Sequence, residues 1–313
     1  MSHSTAPSPY GTFRGTLFQY GLPNLVAFES DPDCPNKCIL LGGLSDGLIP
    51  TPYTKELEQK AAAVHWSLVQ PMLSSSYLGF GNGDLNRDSS ELTQLLSYLH
   101  DHHGAQSVAL VGHSTGCQNI VHWLKQQQEK QPETSMPQVR IVVLQAPVSD
   151  REGAMERTEE YQTNIQCARA MKEANKEEEM MPRSAFWAPI TAKRFLDLQD
   201  FDGADDFFSS DLANDELIER LGHVGKSSCC ETLKTVLVAF SGEDEFVAKH
   251  IVDREALTHR LCAAMNHHVS SDRAPIAVPF YIPTGNHNLS ESKGDATILV
   301  DKIIDLLQGA SND

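Results

Sequence analysis

Apolar residues along this chain fall into short runs set apart by turn residues. Residues 17–20 and 25–28 read as the two strands of a hairpin. Residues 38–41, Cys-Ile-Leu-Leu, form an unbroken apolar run that stops at Gly42-Gly43, the pattern of a buried strand opening into a loop. Residues 64–69 predict a further strand, closed by Pro71. Between 88 and 99 the period changes. Leu92, Leu95, Leu96 and Leu99 share one stripe, which predicts a helix. A strand at 107–111 follows, then a helix at 118–127 with Ile120, Val121 and Leu124 inward, then a β-branched strand at 139–144. The rhythm returns with a strand at 233–240, a helix at 253–264, a strand at 276–282 and a last helix at 296–307. Strands alternating with helices of about ten residues mean parallel βαβ units. Strands apolar on both sides mean a sheet covered on both faces. The expected fold is α/β, a doubly wound and mostly parallel sheet.

The stretch from 150 to 220 breaks this rhythm. It offers helical runs at 152–181 and 190–198 but no clear strand, and it carries 18 acidic against 9 basic residues. An insertion between two core strands, set over the carboxyl edge of a sheet, can act as a cap or lid. The expected organisation is a disordered N-terminus at 1–9, a core made of 10–149 and 221–313, and a helical, acidic cap at 150–220.

Composition narrows the function. The 313 residues carry a net charge of −17, with 40% apolar residues. A nucleic-acid binder needs a basic face to displace counterions from phosphates, so no nucleic-acid partner is expected. No apolar run approaches the roughly 20 residues that span a bilayer. The opening MSHSTAPSPYGTF lacks the charged-then-apolar pattern of a secretory signal. The seven cysteines, Cys34, Cys38, Cys117, Cys167, Cys229, Cys230 and Cys262, are odd in number and irregularly spaced, which reads as free thiols in a reducing compartment. A cytoplasmic protein is expected. There is no His-Glu-x-x-His and no His/Asp cluster of ligand spacing, so neither a metal nor a cofactor is expected.

The chemistry sits at Val108-Ala-Leu-Val-Gly-His-Ser-Thr-Gly116. Gly112, Ser114 and Gly116 fill the pattern G-x-S-x-G between an apolar strand and a helix. A nucleophile on so tight a turn has unfavourable backbone angles, and its neighbours two residues away on each side must be small for strand and helix to approach. The turn lifts the hydroxyl clear of the sheet, above a helix N-terminus that favours negative charge. A serine hydroxyl needs a base, and in this architecture the chain order is Ser, then acid, then His. His287 follows the last predicted strand in Pro-Thr-Gly-Asn-His-Asn and is the best-placed base. His113 neighbours Ser114 in sequence, so its ring is expected to point away from the hydroxyl. Asp244 follows the strand at 233–240 and a Gly turn, and it precedes Phe246-Val247, expected to pack back on the core. Its role would be to fix the imidazole tautomer and stabilise the imidazolium. Asp150, after the strand at 139–144, is the rival acid. An oxyanion hole would use the backbone N–H of Thr115 and that of Leu44, in the glycine loop Gly42-Gly43-Leu44-Ser45-Asp46-Gly47. Asp46 would either contact substrate or cap the next helix.

These residues carry a resemblance. The chain resembles an α/β-hydrolase and, more narrowly, the fungal siderophore esterases and their relatives in other eukaryotes. The matching pieces are Gly42-Gly43-Leu44-Ser45-Asp46-Gly47-Leu48, Trp66-Ser67-Leu68-Val69-Gln70-Pro71 with Leu73-Ser74-Ser75-Ser76-Tyr77, and Gly112-His-Ser-Thr-Gly-Cys-Gln118. The likeness runs over about residues 10–150 and 230–307. It implies a serine esterase with a Ser114-Asp244-His287 triad and a small-molecule ester as substrate. A thioester or amide substrate, or a binding protein on a hydrolase fold with a silent site, are the alternatives. The sequence leaves the oligomeric state open.

Overall fold

The computed structural model describes residues 10–129, 136–226, 232–251 and 253–311. The N-terminus at 1–9 and the pair Cys229-Cys230 lie outside the described residues. Eight strands form one sheet: β1 (Thr16–Gly21), β2 (Leu25–Glu29), β3 (Asn36–Leu41), β4 (Ser67–Met72), β5 (Ser107–His113), β6 (Gln138–Gln145), β7 (Thr235–Ser241) and β8 (Ala277–Ile282). Their spatial order is β1-β2-β4-β3-β5-β6-β7-β8. β1 and β2 make the expected antiparallel hairpin, and β2 runs antiparallel to β4. Every pairing from β4 across to β8 is parallel.

The described helices are α1 (Thr54–Ala63), α2 (Leu85–His103), α3 (Thr115–Glu129), α4 (Asp150–Met155), α5 (Thr158–Glu173), α6 (Ala192–Gln199), α7 (Asn214–Leu221), α8 (Arg254–Met265) and α9 (Lys293–Ser311). Alternation along the central strands divides the core in two. Val108 and Leu110 of β5, with Val142 and Leu144 of β6, pack under α2, α3 and α8. Ala109 and Val111, with Ile141 and Val143, pack under α1 and α9 on the opposite face. A strand with both faces covered must be apolar at successive positions, which is why these runs showed no polar alternation.

Two boundaries differ from expectation for local reasons. β4 begins at Ser67, because Val64 closes α1 and His65 turns at φ 62° before the strand starts. It also continues through Pro71. β4 pairs with β3 only as far as Val69, so the missing N–H of Pro71 breaks no rung on that side. The long helical run at 152–181 is divided into α4 and α5, and Asn175 then adopts φ 56°, the left-handed conformation that commonly stops a helix.

Between β6 and β7, α4 to α6 surround an apolar cluster of their own. Ala154, Tyr161, Ile165, Ala168, Phe195 and Leu196 belong to it, and Phe80 from the sheet side completes it. From Phe207 onward the chain rejoins the sheet's core, with Phe208, Leu212, Leu217 and Leu221 packed there. The start of this excursion is tied down by Arg151. Its side chain is 2% exposed and pairs with Asp206 at 2.9 Å and with Asp211. Within the described residues no strand is added here beyond a single bridge between Met180 and Thr191.

Candidate active site

The carboxyl ends of the central strands open into a cleft of about 620 Å³, within the range of small-molecule sites. Ser114 stands at its floor, between the last residue of β5 and the first of α3. Its φ of 54° is the left-handed region that L-residues avoid. The conformation is held from both sides. Ser114 N–H donates to the Gln145 carbonyl at 3.0 Å, and the Ser114 carbonyl accepts from Cys117 N–H at 2.8 Å. The glycines two residues away on each side are sterically required. A methyl on Gly112 would stand 2.6 Å from Gly116 C, and one on Gly116 would stand 2.6 Å from the Leu41 carbonyl oxygen.

His287 reaches the same cleft from the loop after β8. Its Nδ1 lies 2.8 Å from Asp244 Oδ2, and Asp244 is buried in the loop after β7. Oδ1 of the same carboxylate accepts from Phe246 N–H at 2.9 Å, so the group cannot swing away. His287 N–H donates to Glu245 Oε2 at 2.9 Å. The expectation for Phe246-Val247 holds only for Val247. Val247 is buried, whereas Phe246 stays exposed and packs its ring 4.6 Å from that of His287. Ser114 Oγ makes no hydrogen bond within the described residues. The hydroxyl and the imidazole border one cleft.

Asp150 borders the cleft as well but is not on the imidazole. Its Oδ2 accepts from Gln118 Nε2 at 3.3 Å. Burial, reinforced by the charge of Asp205, pushes its carboxyl up to about 7. His113 is buried, and its ring lies 4.9 Å from that of His287. Burial, with His287 beside it, holds its pKa down at about 3.

Across the cleft from β6, the glycine loop folds over the serine. A methyl on Gly43 would come within 2.7 Å of Ser114 Cβ. Asp46 closes this loop: its Oδ2 accepts from Gly43 N–H at 2.8 Å, and its own N–H donates to the Gly43 carbonyl at 3.0 Å. Asp46 therefore caps its own loop rather than the next helix, and it borders the cleft besides. Burial raises its carboxyl, against the pull of Gly43 N–H and His287. Gly43 N–H is occupied by Asp46, and Leu44, the next residue, borders the cleft. Thr115 is the first residue of α3, so its N–H lacks an intrahelical acceptor. Phe186 and Trp187, from the excursion, line the far wall.

An eight-stranded, mostly parallel sheet with a serine perched between β5 and α3, and a His-Asp pair delivered by the last two strands, is an α/β-hydrolase. The chain belongs to the family described as protein of unknown function (DUF1749), whose model matches residues 1–308. A UPF0613 protein of Schizosaccharomyces pombe is 31% identical over 287 residues, 86% of each chain. Fusarinine C esterase sidJ of Aspergillus fumigatus is 29% identical, covering 96% of this chain and 97% of the relative. Of solved structures, the siderophore hydrolase EstB from Aspergillus fumigatus matches with a TM-score of 0.79 at 28% identity, over 97% of this chain and 99% of that one. The resemblance to the siderophore esterases, drawn from three short blocks, is borne out over nearly the whole chain.

The sequence reading missed Gln145. The predicted strand at 139–144 stops one residue short of it, and its partners arrive from 92 and 142 residues away.

Proposed function

We propose that this protein is a serine esterase that hydrolyses carboxylic esters through a covalent acyl-enzyme. The observation that carries this reading is the buried His287–Asp244 hydrogen bond of 2.8 Å beside the strained Ser114 corner. Asp244 accepts from Nδ1–H, which leaves Nε2 as the proton acceptor. His287 then takes the Ser114 hydroxyl proton as Oγ attacks the ester carbonyl carbon. The N–H groups of Leu44 and Thr115 receive the oxyanion, each such donor being worth about 3 kcal/mol at the transition state. Collapse breaks the bond to the alkoxy oxygen, and His287 returns the proton to it. Water repeats the sequence on the acyl-enzyme, releasing the acid and restoring the hydroxyl. Asp46 acts by holding the glycine loop over the serine.

Residues 150–220 serve as the cap, with Phe186 and Trp187 its contribution to the substrate wall. Glu156 and Glu245 face the cleft with Arg157 their single cationic counterpart among its lining residues, a balance that disfavours anionic esters. One relative is named for fusarinine C and one for siderophores, so a siderophore-type ester belongs in the substrate panel. Among the described residues no helix is long and apolar enough to cross a membrane. Cys34, Cys38, Cys117, Cys167 and Cys262 are free thiols, in keeping with a cytoplasmic setting.

The test combines a fluorophosphonate probe with short-chain acyl nitrophenyl esters, their thioester and amide analogues, a siderophore-type ester and an anionic acyl ester. Labelling and ester turnover, both abolished by Ser114→Ala, are expected, with the anionic ester the poorest. A folded wild-type protein that neither labels nor turns over any of them overturns the reading.

A further inference from the structure

Gln145, the last residue of β6, is fully buried and is hydrogen-bonded to both halves of the site. Its backbone carbonyl accepts from Ser114 N–H at 3.0 Å. Its side-chain Nε2 donates to the His287 carbonyl at 2.8 Å. Its Oε1 accepts twice, from Tyr53 O–H at 3.1 Å and from His113 Nδ1 at 2.6 Å. The orientation of this amide is fixed by chemistry. The His287 carbonyl can only accept, so the group facing it must be the NH₂, and the group facing His113 and Tyr53 must be the oxygen. His113 therefore carries its proton on Nδ1. Burial holds the His113 pKa down at about 3, so the ring is neutral near pH 7. Tyr53 and His113 are both buried, and both oxygen lone pairs of the amide are used.

We propose that Gln145 is the positioning residue of this site, setting the distance between Ser114 and His287 by gripping the backbone of each from one rigid strand end. This rests on the esterase reading above. Gln145 touches neither substrate nor reacting atoms and acts through His287. His287 is thus held at three points: Asp244 holds its ring, Glu245 its backbone N–H and Gln145 its backbone carbonyl. The first two come from the loop after β7, so the side chain of Gln145 is the tie that refers the base to the strand beside the nucleophile. A displacement of about 1 Å in such a pair can cost a hundredfold in rate.

The experiment uses Gln145→Met and Tyr53→Phe in the full chain. Both leave the backbone bond to Ser114 intact and so test the side-chain tie alone. Folding is checked by circular dichroism and thermal melting, and Ser114 reactivity in wild type by the fluorophosphonate probe. For Gln145→Met, kcat should fall tenfold to a hundredfold with KM within threefold, and probe labelling should slow in parallel. For Tyr53→Phe, which removes one of the two bonds orienting the amide, kcat should fall about threefold with KM unchanged. A folded Gln145→Met with kcat within twofold of wild type overturns the proposal. If that variant fails to fold, an unchanged kcat in Tyr53→Phe overturns it. Failure of wild type itself to label and turn over esters would instead strike the esterase reading, which keeps the two outcomes apart.

Discussion

His287 Nδ1 and Asp244 Oδ2 stand 2.8 Å apart although 43 positions separate them in the chain. The carboxylate is enclosed on all sides, and its second oxygen is tied to Phe246 N–H. A carboxylate so fixed permits a single imidazole tautomer and a narrow range of ring angles.

Asp244→Asn preserves the shape of the pair but presents the wrong group to Nδ1. Ester turnover should fall by roughly 10⁴-fold with little change in melting temperature. A loss below tenfold in steady-state kinetics would hand the role to Asp150.

Ser114→Gly should abolish turnover without destabilising the fold. Relief of the left-handed strain is worth about 1–2 kcal/mol, and the added freedom of glycine in the unfolded chain costs about 0.5–1 kcal/mol. The denaturation midpoint is therefore expected to stay level or rise, a trade of stability against activity that urea titration measures directly.

Arg151→Met should cost about 3–5 kcal/mol, because it leaves the enclosed carboxylate of Asp206 without its partner. The loss is read from equilibrium unfolding. Turnover should drop with it, since Arg151 fixes the first turn of α4, which borders the cleft.

Burial pushes the Asp88 carboxyl from 3.8 up to about 7. The folded protein keeps this proton to higher pH than the unfolded chain does. Its contribution is therefore greatest at low pH and is lost as pH rises from about 4 to about 7. Asp88→Asn cannot ionise. Between pH 5 and pH 8 wild type should lose stability relative to the variant, by no more than about 3 kcal/mol, in parallel urea titrations. Asp150, raised likewise, is present in both proteins and drops out of the difference.

What the sequence made legible follows from how each feature is encoded. The serine corner is encoded locally: an apolar strand, two glycines and a helix within nine residues. Asp244 and His287 were picked out by chain order, which this architecture fixes, and the fold brings the two into hydrogen-bond contact. α1 went unseen because its buried face is Thr54, Leu57, Glu58 and Ala61, half of it polar, so no apolar stripe exists to read. α7 is two turns long, with only Leu217 and Leu221 buried. Asn175 was a visible stop signal for α5, hidden in a run of helix-favouring charges. Gln145 lies beyond local pattern altogether, because its importance comes from bonds to Tyr53, His113 and His287, three segments that meet only in the folded chain.

Trp187, on the wall of the cleft, is 57% exposed, whereas Trp66 and Trp123 are 1% and 3% exposed. The three tryptophans of the chain therefore emit from opposite environments, two dry and one wet. Any molecule that settles against this wall strips solvent from Trp187 and from neither of the other two tryptophans. Its long-wavelength fluorescence should move to the blue while the other two indoles stay dark to the event, so occupancy of the cleft can be followed optically without a label.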